Sequence, residues 1–362
     1  IMAVSRINEA GLNVNQYGNR NVVINGGMKV AQRATSATGV GSGFAYPTLD
    51  RFKIVPSTSG RATMTQTADG PAGFANCLKL ECTTADTSIA ATEYFILRQS
   101  FEGQDLQQFK KGTSSAEKIT VSFYVKGNAA ATYTCELDDA DNTRYNSQEF
   151  SVTTDWTRVI LTFDGDTTGA FDDDNARSLN LDFWLHAGSN YTGGTHTDNV
   201  WHTTTNQRVG DNQTSFFDST SRTFFMTGLQ MEVGDTATEF EHRSYGDELR
   251  RCQRYFYALL RRDMNEDQQI GSYYTGTRAF INVPHKVTMR AAPTISVVGS
   301  VGADIYSAGA GISTTTLANT YPRIESTGLD FTPSSSGTAG NAFHLDWTIT
   351  ASTSYIEANA EL

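Results

Sequence analysis

Short segments in which apolar and polar residues alternate follow one another from about residue 48 to residue 243. A period of two residues is typical of β-strands with one buried face. Gly, Asn, Asp and Ser separate the segments, and no helix long enough to connect parallel strands lies between them. We therefore predict an antiparallel β-sandwich of the jelly-roll type. The alternating positions are Phe52/Ile54, Leu78/Leu80/Cys82, Val121/Phe123/Val125, Val159/Leu161/Phe163, Leu179/Leu181/Phe183/Leu185 and Phe225/Thr227/Leu229/Met231/Val233.

A different pattern follows Tyr245. Apolar residues recur there at the spacing of an amphipathic helix, and Ser244 with Asp247 provides a cap for its N-terminus. We predict one short helix, from about Gly246 to Leu260, after which strand-like segments return. The predicted fold class is all-β: a jelly-roll β-sandwich followed by a short helix and a smaller C-terminal β-sandwich domain. The helical positions are Leu249, Cys252, Phe256, Leu259 and Leu260.

The two patterns divide the chain into three parts. Residues 1–30 show no sustained period, and their asparagines and the Gly26-Gly27 pair favour turns over a core element. We interpret residues 1–30 as an N-terminal attachment arm that a partner orders and that folding does not require. Residues 31–245 are predicted to form the sandwich, and residues 246–362 the helix with a C-terminal β tip domain.

The amino-acid composition limits the classes of partner that this chain can bind. It has 362 residues, with 39 acidic and 28 basic side chains and a net charge of -11. An acidic protein without a basic cluster repels phosphates, so we predict no nucleic-acid binding. No stretch approaches the roughly 20 apolar residues that cross a bilayer, and the first residues lack a signal-peptide pattern, so we expect no membrane insertion and synthesis in a cytoplasm. The charged share of 19% is low, as in many all-β extracellular or virion proteins.

Candidate chemistry is sparse. The four cysteines form no C-x-x-C pair and have no histidine at ligand spacing, which predicts free thiols, no disulfide and no metal site. The acidic segments 138–142, 164–166 and 172–175 do not follow the calcium-loop pattern, and we interpret them as solvated loops, with a structural calcium ion as the alternative. No Gly-x-Ser-x-Gly elbow or phosphate loop occurs. We predict a protein that is not an enzyme and has no cofactor.

Several segments resemble a family of bacteriophage tail-fibre and receptor-binding proteins. The segment NVVINGGMKVAQR at 21–33, followed by Asp50-Arg51-Phe52, resembles the opening of such proteins. Residues 119–128, with Trp156-Thr157-Arg158-Val159, resemble the core of the carbohydrate-binding modules that recur in these fibres. The longest similarity is TGLQMEVGDTATEFEHRSYGDEL at 227–249, which resembles the junction between fibre sandwich and C-terminal tip; residues 358–362 resemble the final strand. The resemblance implies a homotrimeric virion protein.

The strand at 179–186 carries the first candidate binding surface. Its odd positions form the core face, which leaves Asp182, Trp184 and His186 on the other face. An indole ring among polar side chains offers an apolar platform for a sugar ring and hydrogen bonds for its hydroxyl groups. Trp201, on the loop that follows, is predicted to close such a site. The alternative is that Trp184 packs against a neighbouring sheet, domain or subunit.

Tyrosines in the C-terminal domain provide the second candidate surface. Tyr273, Tyr274, Tyr306 and Tyr321 occur among Gly, Ser and Thr. Tyrosine with small neighbours gives a large contact area at low entropic cost, as in antibody paratopes. Ordinary loop composition is the alternative explanation. We expect this distal domain, rather than the Trp184 face, to make the primary attachment.

These observations predict a virion structural protein, a phage tail fibre that attaches to the host cell surface through glycan. The expected partners are two further copies of the chain, other virion tail proteins that hold residues 1–30, and a host surface glycan or protein receptor. The expected location is the virion tail, after assembly in the host cytoplasm. The alternatives are a capsid decoration or head-fibre protein without receptor binding, and a glycan depolymerase.

Overall fold

The structure is a computed structural model that describes residues 19–261, 269–299, 301–307, 310–349 and 354–362. The chain divides into two compact units, Ile1–Ser244 and Tyr245–Leu362. Strands dominate both units, which confirms the predicted all-β fold class. Among the described residues, no helix has the length and apolar character needed to cross a membrane.

The first unit is a jelly-roll β-sandwich of two antiparallel sheets. The six-stranded sheet has the order β1-β3-β4-β11-β6-β9, and the five-stranded sheet has the order β2-β5-β10-β7-β8. Apolar side chains at alternate positions of both sheets meet in one continuous core. The strands are β1 (Ser36–Val40), β2 (Lys53–Ser57), β3 (Arg61–Thr67), β4 (Cys77–Thr84), β5 (Tyr94–Glu102), β6 (Ile119–Gly127), β7 (Ala131–Asp139), β8 (Arg144–Val152), β9 (Thr157–Phe163), β10 (Arg177–Ala187) and β11 (Thr223–Val233).

Strand β11 changes face part-way along its length. Phe224 and Met226 point into the core near its start, whereas Leu229 and Met231 do so near its end. The pairing with β6 shifts between Thr227 and Gln230, so an extra residue exchanges the two faces. The sequence pattern that assigned Phe225 and Thr227 to the same face as Leu229 was therefore wrong in the first half of the strand.

Residues 19–30 belong to the sandwich, which corrects the prediction of an arm that folding does not require. Val23, Met28 and Val30 are fully buried. Asn21 completes the edge of the β11 bulge, because its side chain donates to the Leu229 carbonyl oxygen and accepts from the Met231 amide, at 3.2 and 3.1 Å. The sequence lacks a period here because irregular backbone held by buried asparagine side chains, rather than a strand, carries the apolar residues.

A glycine is required where this segment meets β11. The Leu229 amide donates to the Gly26 carbonyl oxygen at 3.0 Å, and a Cβ atom on Gly26 would collide with the Leu229 carbonyl oxygen. The close approach of two backbones explains Gly26 better than a free turn does. Residues 1–18 of the predicted arm lie outside the described residues.

The second unit contains a six-stranded closed barrel, of order β13-β14-β18-β17-β16-β19, and a three-stranded sheet, of order β12-β20-β15. The smaller C-terminal domain is all-β, as predicted. It differs from the predicted β-sandwich in that six of its strands close into a barrel, which leaves no exposed sheet edge among those six. One apolar core serves the barrel and the sheet. The strands are β12 (Phe256–Arg261), β13 (Gln269–Thr275), β14 (Arg278–Pro284), β15 (Thr294–Val298), β16 (Val301–Ser307), β17 (Ala310–Pro322), β18 (Ser326–Pro333), β19 (Ala342–Ile349) and β20 (Tyr355–Asn359).

The predicted helix is shorter than its apolar spacing indicated. A four-residue helix α1 (Ser189–Thr192) lies in the first unit, and the predicted helix is α2 (Tyr245–Gln253). Phe256 begins strand β12, which pairs with β20, because aromatic residues favour a sheet and the C-terminal strand offers a partner. Tyr255 and Tyr257, whose aromatic area suggested a subunit interface, are buried in the single chain and therefore do not support one there. The homotrimer itself stays a prediction of the resemblance.

Two carboxylates from the acidic segments are buried rather than solvated. The ammonium group of Lys111 lies 2.5 Å from Asp139 and 3.1 Å from Asp166, and its side chain is 2% exposed. Arg144 donates to Asp166 at 2.6 Å. The cations of these buried pairs are therefore protein side chains. All four cysteines are free and buried, as the spacing predicted.

Asp166 makes the stability of the first unit depend on acid. Burial alone would raise the pKa of this carboxyl group, but hydrogen bonds from Arg144, Thr168 and Lys111 outweigh it and hold the pKa below its ordinary value of 3.8. The contribution of Asp166 is thus complete above that value and is lost as the pH falls through the lowered pKa. We expect Asp166→Asn to destabilise the unit at pH 6, and this difference from the parent to shrink toward pH 2. Urea unfolding, monitored by tryptophan fluorescence at pH 6 and at pH 2, measures the free energy of unfolding of the variant and the parent. A difference between them that does not change with pH would contradict the role given to the Asp166 carboxylate.

Candidate functional site

The polar face of strand β10 is covered by the chain itself. Strand β10 has an extra residue between Trp184 and His186, which places the buried His186 opposite Phe95 on the core side, contrary to the predicted alternation. Asp182 and Trp184 share the other face, as predicted, but they are 0% and 1% exposed. Residues 188–215, which connect β10 toward β11, lie over them, with Val209 fully buried and the Tyr191 ring 5.0 Å from the Trp184 ring. The prediction of an accessible sugar platform at Trp184 is therefore wrong, and the packing alternative is correct.

Charged side chains fill the remaining space on this covered face. Asp182 accepts two hydrogen bonds from Arg98, at 2.7 and 2.6 Å. Glu136 accepts two from Arg208, at 2.8 and 2.7 Å, and a third from the Trp184 indole at 2.8 Å. Each carboxylate thus has a guanidinium partner, which is the condition for burying such charges at tolerable cost. This arrangement fastens residues 188–215 to the sheet and keeps the Trp184 ring out of contact with solvent.

Trp201 does not join the Trp184 group. Its half-buried ring packs against the main core of the sandwich, and its indole nitrogen donates to the Asp164 carbonyl oxygen at 2.7 Å. The Lys111 ammonium group lies 5.0 Å from the ring centre, which is a cation–π contact. Trp201 therefore covers the buried Lys111 pairs and closes no sugar site.

The four tyrosines of the second unit fall into three different environments. Tyr273 is 1% exposed and points into the barrel, where its ring lies 5.3 Å from that of Phe343. It is a core residue, so the prediction of a ligand contact there is wrong. Tyr274 and Tyr321 are 74% and 46% exposed, and both line one groove on the outside of the barrel. Tyr306 is also exposed, but it lines a smaller pocket with Ile270 and His344.

The groove that contains Tyr274 and Tyr321, called here the barrel groove, has a volume of about 640 Å³. It crosses four adjacent strands, β13, β14, β18 and β17, whose alternate residues point outward from the barrel. This volume is within the range of about 300 to 1,000 Å³ for small-molecule sites. The lining residues are Tyr274, Arg278, Phe280, Asn282, Tyr321, Arg323, Ser326, Gly328 and Asp330.

An aromatic pair over a glycine gives the barrel groove its shape. The rings of Phe280 and Tyr321 have centroids 6.0 Å apart at an angle of 55°. Gly328 lies beneath them, where an added Cβ atom would come within 2.7 Å of the Phe280 ring and 3.3 Å of the Tyr321 Cβ atom. A side chain at this position would push the rings apart. Because residue 328 is glycine, the Phe280 and Tyr321 rings form a continuous apolar surface, which Tyr274 extends.

Polar groups at fixed positions border the aromatic surface. Asp330 is 2% exposed, and one of its oxygens forms an ion pair with Arg278. Its other oxygen is buried without a hydrogen-bond partner among the described residues. Arg278 also lies 3.3 Å from the Tyr321 hydroxyl. Flat apolar surface next to oriented hydrogen-bonding groups is the combination needed to bind a sugar, whose ring has an apolar face and a rim of hydroxyl groups.

Sequence reasoning found Tyr274 and Tyr321 but missed Arg278, Phe280 and Asp330. A signal was present: in the segment 278–284, Arg278, Phe280 and Asn282 alternate with the apolar Ala279, Ile281 and Val283. An aromatic residue on the polar side of a strand marks an outward face that binds or packs against something. What the sequence did not show is that strands β14 and β17 both lie next to β18, which places Phe280 beside Tyr321.

Comparisons with known proteins identify no family. No family model matches the chain, and no curated protein matches it. Solved structures that resemble it include a CBM4 carbohydrate-binding module, with 10% identity over 50% of this chain and 86% of that one and a TM-score of 0.29. A family 11 module from Clostridium thermocellum, bound to a mixed-linked tetrasaccharide, has 10% identity over 58% of this chain and 99% of that one and a TM-score of 0.29.

A tailspike is also among the similar structures. The enzymatically active domain of tailspike protein 4 from bacteriophage CBA120 has 12% identity over 59% of this chain and 21% of that one, with a TM-score of 0.32. Similarities at this level assign neither a ligand nor a site.

Proposed function

We propose that this protein is a phage tail fibre that attaches to the host surface by binding glycan in the barrel groove. The observation that carries the proposal is the outward-facing surface of Tyr274, Phe280 and Tyr321, bordered by the Arg278–Asp330 pair. The placement in a virion tail, the homotrimer and the attachment to other tail proteins rest on the resemblance of the sequence segments. The covered Trp184 face has no part in the proposal.

The groove favours a sugar that carries negative charge. Arg278 is paired with Asp330, whereas the exposed Arg323 has no ion-pair partner among the described residues. The lining therefore holds two guanidinium groups against one carboxylate, in a chain whose net charge is -11. An uncompensated guanidinium group binds a carboxylate or phosphate group on a ligand by two parallel hydrogen bonds. We infer that an acidic surface polysaccharide binds more tightly than a neutral one.

The proposed activity is binding without cleavage. Among the described residues that line the barrel groove, Asp330 is the single carboxylate. Hydrolysis of a glycosidic bond usually requires two carboxyl groups on opposite sides of the bond. The arrangement supports a receptor-binding role over that of a depolymerase.

A glycan array tests the proposal. The labelled full-length protein is applied to immobilised bacterial surface polysaccharides, both neutral and acidic, alongside the variants Tyr321→Ala and Tyr306→Ala. We expect binding to acidic members and a loss of about tenfold or more in apparent affinity for Tyr321→Ala, because truncation removes a central aromatic contact. Tyr306→Ala removes an equally exposed tyrosine outside the groove and should bind as the parent does.

Three outcomes would count against this assignment. Absence of binding to every polysaccharide would favour a protein receptor or a decoration role. Equal losses in both variants would show that the barrel groove is not the site. Binding of neutral and acidic polysaccharides with equal affinity would remove the role given to Arg323.

A further inference from the structure

A histidine and two carboxylates from distant parts of the sequence meet in the first unit. Asp86 follows strand β4, Glu93 precedes strand β5, and His186 lies near the end of strand β10. One side-chain ligand atom from each residue lies within 4.8 Å of the others, and the His186 Nε2 atom is 4.0 Å from a Glu93 oxygen. The sequence predicted no metal site because no two of these residues fall at ligand spacing.

The imidazole of His186 is held with one nitrogen facing the carboxylates. Its Nδ1 atom lies 2.8 Å from the Ser215 hydroxyl group, and the Phe217 ring packs at 5.5 Å from the imidazole centre. The residue is 0% exposed, and its Nε2 atom has no hydrogen-bond partner among the described residues. When Nδ1 carries the proton and donates to Ser215, Nε2 presents a lone pair, which is the form that binds metals.

The two carboxylates are also held in position. Asp86 accepts hydrogen bonds from the Thr58 hydroxyl group at 2.6 Å and from the Ser59 amide at 3.1 Å. Glu93 accepts one from the Ala90 amide at 2.6 Å. Hydrogen bonds of this kind orient ligands in metal centres. The three residues thus form a preorganised set of one nitrogen and two oxygen ligands.

Without a cation the arrangement is unfavourable at neutral pH. With its proton on Nδ1, the imidazole directs the Nε2 lone pair at two carboxylates and leaves a buried acceptor unsatisfied, which is costly. A positive ion between the three groups removes both penalties.

We propose that Asp86, Glu93 and His186 bind a divalent transition-metal ion of the zinc type. A mixed nitrogen and oxygen set suits zinc, whereas calcium and magnesium prefer oxygen ligands alone. Ligand atoms around tetrahedral zinc lie about 3.3 Å apart, so binding draws these three side chains somewhat closer together and leaves the fourth position to water. The ion ties the connection between β4 and β5 to the end of β10 and to Ser215. Its role is to stabilise the sandwich, independently of the barrel groove.

Calorimetric titration of the full-length, chelator-treated protein with zinc chloride tests this proposal. We expect one zinc ion per chain, binding at least tenfold tighter than calcium or magnesium, and a rise of several degrees in the melting temperature at saturating zinc. Glu93→Gln removes the most accessible ligand and should weaken zinc binding by tenfold or more. His344→Gln breaks a different histidine–carboxylate pair, with Asp346, which is half-exposed in the second unit, and should leave this binding unchanged.

A second measurement uses only the parent protein, so it tests the proposal even if a variant folds poorly. Proton-detected NMR of the parent histidines reports the state of His186 directly. We expect an Nε2 atom that carries no proton, together with a zinc-dependent shift of the His186 ring signals. The proposal fails if zinc binds with no defined stoichiometry, if Glu93→Gln binds it as tightly as the parent, or if His186 is protonated at pH 7 and zinc changes nothing, since the cluster is then a buried ion pair.

Discussion

A chain that begins at residue 31 is expected to lose the folded structure of the first unit at room temperature. The truncation removes Val23, Met28 and Val30 from the core, together with the buried hydrogen bonds of Asn21 and Asn25. Loss of a large buried apolar side chain costs about 2 to 5 kcal/mol, and whole domains are stable by only about 5 to 15 kcal/mol. The combined loss is therefore expected to exceed the stability of the unit.

The matched control for this truncation is a chain that begins at residue 19. The difference in melting temperature between the two truncated chains measures how much residues 19–30 contribute to the stability of the first unit. Tryptophan fluorescence follows the first unit well, because Trp156, Trp184 and Trp201 belong to it and only one further tryptophan lies in the chain. If the two truncated proteins melt within a degree or two of each other, residues 19–30 are the dispensable arm that the sequence pattern indicated.

Trp184→Ala is expected to destabilise the first unit by about 3 to 5 kcal/mol, which is the cost of removing a large aromatic ring from a packed site. The indole is 1% exposed, contacts Tyr191 and Arg208, and donates to Glu136. Its removal leaves a cavity beneath residues 188–215. Binding of polysaccharide, measured well below the melting temperature, should stay unchanged because the barrel groove belongs to the other unit.

Trp156→Ala serves as the control for the Trp184 variant. Trp156 is only half-buried, beside Phe225 and Lys126, so its loss should cost about 1 kcal/mol. Chemical unfolding of both variants measures the difference. A Trp184→Ala protein that keeps its stability and loses polysaccharide binding would restore the original interpretation of this strand as a sugar platform.

Alternation along the sequence identified six of the eleven strands of the sandwich, namely β2, β4, β6, β9, β10 and β11, because the burial of one sheet face imposes the alternation directly. It failed where the backbone departs from regular pairing. The bulge in β11 exchanged the faces of Phe225 and Leu229, and the irregular segment 19–30 buries Val23 and Met28 without any period. The helix predicted after Tyr245 was too long, because Phe256 and the residues after it pair with β20. That pairing joins segments far apart in the chain, so the local sequence does not show it.

The sequence was likewise insufficient to predict which residues form the candidate site. Composition picked out exposed tyrosines but did not distinguish Tyr273 from Tyr274, which point to opposite sides of strand β13. Asp182 and Trp184 of strand β10 were assigned the correct face, but the extra residue that turns His186 to the core side was not predicted. The segment that covers Trp184 follows in sequence as an ordinary polar loop. Which residues line a groove depends on strand order, and strand order depends on contacts between segments far apart in the chain.

The most direct test of the central claim is amide hydrogen exchange of the full-length protein with and without the polysaccharide that binds best on the array. If the barrel groove is the glycan site, the ligand should slow exchange in residues 274–282 and 321–330 and leave the first unit unaffected. Protection over residues 177–215, or protection in the second unit confined to the Tyr306 pocket, would contradict the account.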